Sequence, residues 1–395
     1  MSINKIEMPT ELYYGPDSLS HVGETAKKFG EKVLLISDNI INDMGYVKKA
    51  TEYLEEVGLT VATYLGANSE PTDVYVDEAL DILKENDCDV IVTIGGGSCL
   101  DTAKAVAVVA TNGGYIGDYM KGNKIAEVDP VPLVTIPTTA GTGSEVTNVT
   151  VITNTKENVK MMIKQTAFLP KVAIVDPNLT MTAPDKVTAA TGMDALCHAI
   201  ESYVSNIAHP MTRTFSLDAI KLILNNIQTV YDNGDDVDAR NNMSLAAMEA
   251  GIAFSNASVT LVHGMSRPIG ALFHVPHGVS NSMLLPAVLE FSKQEALTEL
   301  ADIAKLFLSD EELKDKTTEN LADETIRKVK ELSHHLNIPN LKSWGIDEDE
   351  FEAALDKMAT DAINSGSPEY NPRVPTHEEI KELYRTCYTY DFSEK

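Results

Sequence analysis

Nine residues decide the fold of the first half of the chain: Val90-Ile91-Val92-Thr93-Ile94-Gly95-Gly96-Gly97-Ser98. The apolar run before the glycines predicts a buried strand, and the pattern after them predicts a helix over residues 100–110. Glycines at such a junction let a ligand approach the backbone, and a helix N-terminus presents free N–H groups to phosphate oxygens. The stretch therefore predicts a binding site for a dinucleotide pyrophosphate. A plain turn, with Ser98 and Asp101 forming a helix cap, is the alternative.

The same alternation of strand and helix extends on both sides of this stretch. Further strands are predicted at residues 32–36, 60–64 and 133–136, and helices at 47–56 and 74–84. Apolar strands that alternate with helices form a parallel sheet covered on both faces. From Pro184 onward the pattern changes to successive amphipathic helices, with residues 145–175 as a connecting segment. We predict two domains: an α/β Rossmann-like dinucleotide-binding domain with a parallel sheet at 1–178, and an all-α domain at 179–395.

Two other features at predicted strand ends point to a nucleotide. The loop at residues 137–145 collects glycines and hydroxyls, and Thr138, Thr139 and Thr142 can hydrogen-bond such a ligand. Asp38 ends an earlier strand, where its carboxylate can accept from ribose hydroxyls and would repel a 2′-phosphate, which favours NAD over NADP. An ordinary loop, and a turn opened by Asp38, remain the alternatives.

The helical half carries the strongest chemical signal. Asp194 and His198 are four residues apart on one face of a predicted helix, so they can hold one ion, and His263 and His277 follow in a glycine- and histidine-rich stretch. One carboxylate and three imidazoles suit Fe(II) or Zn(II). Four ligands that leave a position for a substrate oxygen would form a Lewis-acid site. The alternative is a helix-surface pair and two hydrogen-bonded histidines near helix ends.

The composition indicates which binding partners and which cellular compartment to expect. The formal net charge is −27, from 32 basic and 59 acidic residues, and such a surface repels nucleic acid and anionic membranes. The four cysteines form no CxxC motif, which favours a reducing compartment. The N-terminus lacks an apolar signal core, and no apolar run approaches the ~20 residues that span a bilayer. We therefore expect a cytoplasmic protein with no nucleic-acid or membrane partner.

Taken together, these motifs resemble the iron-containing (group III) alcohol dehydrogenases. The similarity runs nearly end to end and is carried by Gly95–Ser98 with Asp101 and Lys104, residues 137–145 and 192–201, His263-Gly264-Met265, and Pro276-His277-Gly278. The most similar subgroup contains lactaldehyde reductase and propanediol dehydrogenase. The resemblance implies a dehydroquinate synthase-like architecture and a homodimer or larger homo-oligomer. It also implies an enzyme that interconverts a small primary alcohol or diol and its aldehyde, using NAD(H) and Fe(II), alternatively Zn(II).

The resemblance also implies roles for individual residues. The metal ligands would be Asp194, His198, His263 and His277. The dinucleotide contacts would be Asp38, Gly97, Ser98, Thr138, Thr139 and Lys160, next to Gly95, Gly96, Asp101 and Thr142 of the same motifs. Phe254 would line the substrate pocket, with a plain core position as the alternative. The domain at 179–395 would thus hold both the metal and the substrate.

Three positions depart from the family pattern. Many relatives have histidine at Arg267, asparagine or aspartate at His274, and asparagine at Glu70, which puts a cofactor contact at Glu70 in doubt. Arg267 stays protonated and cannot move a proton, so we interpret His274 as the proton relay of the catalytic site. Arg267 could instead bind the carboxylate, sulfonate or phosphonate of an anionic aldehyde. An internal salt bridge or helix-end contact is the slightly favoured alternative.

Two other functions compete with this interpretation. Dehydroquinate synthase and glycerol-1-phosphate dehydrogenase have a similar fold and a zinc site, but they act on phosphorylated substrates. Several basic residues would then be expected near the metal motifs, where the sequence has only Arg267. A non-catalytic, metal-stabilised or filament-forming protein is the second competitor, and the intact nucleotide loops argue against it.

Overall fold

The computed structural model describes residues 3–157 and 159–393. They divide into two compact units, one formed by Lys5–Thr182 and one formed mainly by the residues from Ala183 onward. The predicted boundary between residues 178 and 179 lies slightly earlier, inside a short 3-10 helix at Pro177–Thr180. Asp176, just before this helix, is buried and accepts a hydrogen bond from the backbone N–H of Leu19 at 3.1 Å. That contact holds the segment to the first unit.

The first unit is built on a parallel sheet. Its described residues contain the strands β1 (Glu11–Tyr14), β2 (Lys32–Ile36), β3 (Thr60–Tyr64), β4 (Val90–Gly95), β5 (Leu133–Pro137), β6 (Val149–Asn154), β7 (Val159–Lys164) and β8 (Val172–Val175). Six strands pair in the order β1-β8-β5-β4-β2-β3, all in parallel, and β6 and β7 form a separate antiparallel pair. The sheet has the predicted Rossmann-like character.

Helices cover both faces of this sheet. They are α1 (Val22–Lys27), α2 (Asn39–Asp43), α3 (Tyr46–Glu56), α4 (Asp73–Glu85) and α5 (Gly97–Asn112). Alternate residues of β2 enter two different cores: Leu34 packs with residues of α4 and α5, whereas Leu35 packs with residues of α1 and α3. Both faces of the strand are therefore buried, which explains its uninterrupted apolar sequence.

The predicted elements agree with β2 to β5 and α3 to α5 to within a few residues at each end. The interpretation of residues 145–175 as a connecting segment is wrong. They lie within the first unit and supply β6, β7 and β8, and β8 pairs with both β1 and β5 in the main sheet. Strands β1 and β7 were not predicted because each is short and only partly buried, so its apolar alternation is weak.

The second unit is helical, with no strand among its described residues. Its helices are α6 (Asp185–Val204), α7 (Pro210–Asp232), α8 (Val237–Ala257), α9 (Leu261–Phe273), α10 (His277–Ser292), α11 (Leu297–Ala304), α12 (Asp310–Leu313), α13 (Thr318–His335), α14 (Leu341–Trp344), α15 (Glu348–Asn364) and α16 (His377–Tyr388). None of the described helices is by itself long and apolar enough to cross a membrane, although α8 and α9, which meet at a 102° bend, satisfy that criterion as a pair.

Helix α6 is an interior helix of the second unit. Every residue from Gly192 to Val204 is buried, so the helix has no solvent-facing side along that length. A helix buried on all sides is expected to be apolar throughout. Asp194, His198 and Glu201 break that rule, and buried polar groups are costly unless they are partnered. Their partners define the site described next.

Candidate metal centre and dinucleotide loops

The four predicted metal ligands come together in the second unit. Asp194 and His198 project from α6, His263 from the first turn of α9, and His277 is the first residue of α10. One donor atom from each lies within 4.8 Å of the donor atoms of the other three. Asp194, His198 and His263 are buried, whereas His277 is partly exposed. This spacing fits a single cation with one partly open side.

A glycine lets two of the helices approach closely enough to form this cluster. A Cβ atom on Gly278 would lie 2.6 Å from the carbonyl oxygen of Ala190 and 3.3 Å from the Cβ atom of Asp194. The first turn of α10 therefore packs directly on the backbone of α6. This contact brings Nε2 of His277 to 3.9 Å from Oδ1 of Asp194.

The imidazole of His198 lies between two other rings. Its centroid is 4.3 Å from that of Phe254 on α8 and 4.5 Å from that of His263, and both pairs are stacked. Phe254 is partly exposed. It packs on one predicted metal ligand and presents an apolar ring beside the cluster.

Glu201 contacts the cluster, and the sequence analysis did not assign it a role. Its Oε2 makes a hydrogen bond with Nδ1 of His263, and its Oε1 accepts from the backbone N–H of Val262 at 2.7 Å. Glu201 follows His198 by three residues and thus lies on the same face of α6. That spacing was the signal that could have identified it.

Asn281 is the second contact that the sequence analysis missed. It is fully buried, one helical turn after His277 on α10. Its Nδ2 lies 2.6 Å from Oδ1 of Asp194, 3.0 Å from Nε2 of His263 and 3.2 Å from Nε2 of His277, while its Oδ1 has no hydrogen-bond partner among the described residues. A buried amide with an unpaired oxygen beside three donor atoms indicates a polar site made for a further group.

The donor set fits a divalent transition metal. Burial, with His198 and Arg267 nearby, lowers the pKa of His263 well below its usual value, so its imidazole is neutral and keeps a lone pair. The contact between Glu201 and Nδ1 of His263 leaves Nε2 facing Asp194, at 3.8 Å from Oδ1. One carboxylate and three imidazoles are ligands that Fe(II) and Zn(II) accept.

In the first unit, the glycines lie where β4 meets α5. Gly96 caps the helix and Gly97 begins it, so free N–H groups of the first turn lie at the end of the sheet. A Cβ atom on Gly95 would lie 2.5 Å from Sγ of Cys99, and Gly95 accepts from the N–H of Thr138 at 3.0 Å. Close packing therefore requires glycine at position 95.

The threonines of the 137–145 loop lie beside these glycines. A Cβ atom on Gly97 would lie 3.1 Å from Cγ2 of Thr142, and one on Gly96 would lie 3.9 Å from Cγ2 of Thr139. Both threonines are partly exposed, as is Ser98, whereas Thr138 is buried. The two predicted loops are therefore adjacent at the carboxyl ends of β4 and β5.

The alternative in which Ser98 and Asp101 form a helix cap is wrong, because the helix starts earlier, at Gly97, and Gly96 is its cap residue. Asp101 is partly buried in the first turn and a half of α5. Its carboxylate accepts from Oγ of Ser144 at 2.6 Å and from the N–H of Val151 at 2.8 Å. Asp101 therefore holds the 137–145 loop against α5, and both of its oxygens are used in internal hydrogen bonds.

Lys104, one turn further along α5, reinforces the same contact. Its buried Nζ donates to the hydroxyls of Ser144 and Thr147 at 2.8 and 2.9 Å and to the carbonyl of Val149 at 2.8 Å. Burial lowers the pKa of Lys104 to about 8. The lysine, together with Asp101, fixes the shape of the second loop.

Asp38 and Lys160, the remaining predicted cofactor contacts, have partners of their own. Asp38 caps α2 through Oδ1, which accepts from the N–H of Ile41 at 2.8 Å, and Sγ of Cys99 donates to its Oδ2 at 3.4 Å. Oδ1 of Asp38 thus has the local role that the turn alternative gives to this residue. Nζ of Lys160 on β7 forms an ion pair with Glu70 at 3.0 Å.

Comparison with known proteins identifies the family. The profile described as "Iron-containing alcohol dehydrogenase" matches residues 9–177, and that described as "Fe-containing alcohol dehydrogenase family, C-terminal" matches residues 188–388. The chain belongs to the iron-containing alcohol dehydrogenase family. As a member it is an oxidoreductase, and the resemblance inferred from its motifs is confirmed.

Relatives of this alcohol dehydrogenase match over nearly its full length. It is 37% identical to the 1,3-propanediol dehydrogenase of Klebsiella pneumoniae over 385 residues, covering 96% of this chain and 98% of the relative. It is 37% identical to the NAD-dependent methanol dehydrogenase of Bacillus methanolicus, with the same coverage. A crystal structure of 1,3-propanediol oxidoreductase superposes with a TM-score of 0.93 at 36% identity, covering 98% of this chain and 100% of that one.

Arg267 and His274, two of the positions expected to depart from the family pattern, lie within α9 and at its end. Arg267 follows His263 by one turn, and its Nη1 donates to Oγ of Ser367 at 3.0 Å. Burial lowers the pKa of Arg267 to about 10, which leaves it charged at neutral pH. This contact favours the internal role over binding of an anionic aldehyde. His274 caps α9 with a left-handed backbone (φ 54°), and its side chain is exposed.

Proposed function

We propose that the protein is a metal-dependent dehydrogenase that interconverts a small primary alcohol or diol and the corresponding aldehyde with NAD(H). The observation that carries the proposal is the convergence of one carboxylate and three imidazoles, whose donor atoms lie within 4.8 Å of one another. The relatives named as methanol and 1,3-propanediol dehydrogenases support an alcohol or diol as the substrate class. An anionic aldehyde and a non-catalytic role are both disfavoured.

The four ligands of the proposed metal are Asp194, His198, His263 and His277. We propose Fe(II) as the ion, with Zn(II) as the alternative, because the ligand types accept both. When bound, the ion supplies a Lewis acid that polarises the oxygen of the alcohol or aldehyde. The side of the cluster at His277, the one ligand that is partly exposed, would leave room for that oxygen.

The residues around the ligands divide the remaining tasks. Phe254 stacks on His198 and offers an apolar surface to the carbon chain of the substrate. His274, three residues before His277 and exposed, can exchange a proton between the substrate oxygen and water. Arg267 has a structural role through Ser367 and carries no proton.

The dinucleotide is proposed to bind the first unit. Backbone N–H groups at the start of α5 would hold the pyrophosphate, and Ser98, Thr138, Thr139 and Thr142 would donate hydroxyl or backbone hydrogen bonds to it or to the ribose. Oδ2 of Asp38 would accept from the adenosine ribose hydroxyls, which supports NAD over NADP. When bound, NAD supplies the acceptor for the hydride that leaves the alcohol.

Lys160 and Glu70 modify this proposal. Their ion pair places a carboxylate next to the lysine that the family uses for the cofactor. To contact a ribose, Lys160 must donate to Glu70 and to the ligand at the same time. Its ammonium has three N–H groups, so it can do both. We further propose that the protein forms a homodimer or larger homo-oligomer in the cytoplasm. The family resemblance supports the oligomer, and the four buried free cysteines support a reducing compartment.

The experiment that tests the function is NADH oxidation by protein loaded with Fe(II). Lactaldehyde and succinic semialdehyde are compared as a neutral and an anionic aldehyde. We expect a clear preference for lactaldehyde, with His277→Ala abolishing turnover. A clear preference for the anionic aldehyde would indicate that Arg267 binds the substrate. No reduction of either aldehyde would contradict the dehydrogenase proposal. For His274, a pH–rate profile of His274→Ala that matches the wild type would remove it as the proton relay.

A further inference from the structure

Glu201 is buried in the middle of the second unit with both of its carboxylate oxygens in use. Its side chain is 2% exposed. Oε2 makes its hydrogen bond with Nδ1 of His263. A buried carboxylate is stabilised only when donors compensate the loss of water. The identity of those donors determines what Glu201 does to the histidine.

The other oxygen is fixed at the beginning of α9. Oε1 accepts from the N–H of Thr260 at 3.0 Å, from its hydroxyl at 2.8 Å, and from the N–H of Val262 at 2.7 Å. Thr260 is the cap residue and Val262 lies in the first turn, where backbone N–H groups have no partner within the helix. Three donors converge on one atom, so this position accepts only an oxygen.

Oε2 is therefore held against Nδ1 of His263 mainly by the contacts of Oε1 with Thr260 and Val262. In its ionised form the Glu201 carboxylate has no proton to donate, so the proton of the neutral ring then lies on Nδ1. Nε2 then keeps its lone pair, and it faces Asp194, with 3.8 Å between Nε2 and Oδ1. A metal ion requires that lone pair.

We propose that Glu201 is a positioning residue for the metal: it holds His263 in the tautomer and orientation whose Nε2 can bind the ion. This inference rests on the proposed function, because it takes His263 as a ligand. Glu201 does not touch the ion or the substrate. It acts by connecting the start of α9 to the imidazole, so the histidine is ready before the ion arrives.

The connection predicts an unusual effect for a conservative substitution. In Glu201→Gln the amide oxygen must occupy the Oε1 position, because three donors point at it. The amide nitrogen then faces Nδ1 and donates to it, so Nδ1 becomes an acceptor and the ring proton moves to Nε2. The substitution keeps the size of the side chain but removes the lone pair that the metal needs.

The test compares the affinity for Zn(II) and Co(II), measured by competition with a chelator, in the wild type and in Glu201→Gln. The matched control is Glu249→Gln, the same change at a partly buried carboxylate on α8 that belongs to none of the contacts of the cluster described above. We expect Glu201→Gln to lose about 10- to 100-fold in affinity for both ions. The control should stay within about twofold of the wild type, and NADH binding, followed by fluorescence, should be unchanged in both variants. A Glu201→Gln affinity within about twofold of the wild type overturns the proposal.

A second measurement needs no variant at Glu201 and covers the case in which Glu201→Gln does not fold. In metal-free wild-type protein with ¹⁵N-labelled histidine, long-range ¹H–¹⁵N spectra report the tautomer of each ring, and His263→Asn assigns its signals. We expect His263 to carry its proton on Nδ1, and a proton on Nε2 overturns the proposal. If His263→Asn itself binds metal as tightly as the wild type, the ligand assignment in the proposed function fails instead.

Discussion

Replacing Gly278 with alanine tests whether the close packing of α10 on α6 forms the metal centre. The new Cβ atom would lie 2.6 Å from the carbonyl oxygen of Ala190, whereas ordinary contacts begin at 3.4 Å. The two helices must therefore separate by about 0.8 Å, and overpacking of this kind costs about 1–3 kcal/mol in the free energy of unfolding. His277, the neighbouring residue, moves with α10 away from Asp194. Metal–ligand distances tolerate only about 0.2 Å, so we expect metal affinity to fall about tenfold or more.

The assay is chelator competition for Zn(II), together with urea unfolding of the metal-free protein. Gly192→Ala is the matched control, because it adds the same methyl group to α6 itself. Its Cβ atom would meet the side-chain ends of Ile227 at 2.9 Å and Met243 at 3.1 Å, which can move without separating α10 from α6. We expect Gly192→Ala to lose stability but to retain metal affinity. If Gly278→Ala binds metal as tightly as Gly192→Ala, the packing argument is refuted.

Three further predictions concern other parts of the chain. Gly95→Ala should weaken NADH binding about tenfold or more, because the new Cβ atom would lie 2.5 Å from Sγ of Cys99. The metal content should stay unchanged. A fluorescence titration with NADH measures the Kd, and a Kd equal to that of the wild type contradicts the prediction. Lys104→Met should lower the free energy of unfolding by about 3–5 kcal/mol in urea, because it leaves three acceptors without their charged donor and removes the positive charge near the Asp101 carboxylate. A loss below about 1 kcal/mol would argue against that role. Burial raises the pKa of Glu249 from 4.5 to about 7, so the folded protein binds more protons than the unfolded chain between these values, and this contribution to stability is lost as pH rises from about 4.5 to about 7. Unfolding curves of metal-free Glu249→Gln should show a smaller decline over that window than the wild type, and an identical decline would exclude Glu249 as its source.

The main sheet shows how much of the fold can be predicted from local sequence patterns. Strands β2 to β5 and the helices between them follow from apolar runs and glycines, because strands buried on both faces are uniformly apolar. Strand β8 was assigned to a connecting segment. Its place between β1 and β5 depends on pairing with residues 11–14, far away along the chain, and no local pattern encodes that pairing.

The metal cluster was likewise predicted in part from the sequence and in part decided by the packing of the helices. The sequence by itself determined which residue types were available: a carboxylate and an imidazole one turn apart, two more histidines, and a glycine next to the last of them. Local periodicity left the four-ligand interpretation open, and the family resemblance selected it. Only the tertiary structure decided that the four donor atoms converge, because their separation depends on how three helices pack.

The partners of the ligands were beyond the sequence for a physical reason. Glu201 and Asn281 are polar residues on buried helices, and spacing places them on the ligand face without saying what they contact. A hydrogen bond to Nδ1 of His263 requires atoms from α6 and α9 to meet at a distance that only packing sets. The sequence determined the chemistry that each helix could offer, and the tertiary structure decided which groups share one site, because backbone periodicity is local whereas side-chain contact is not.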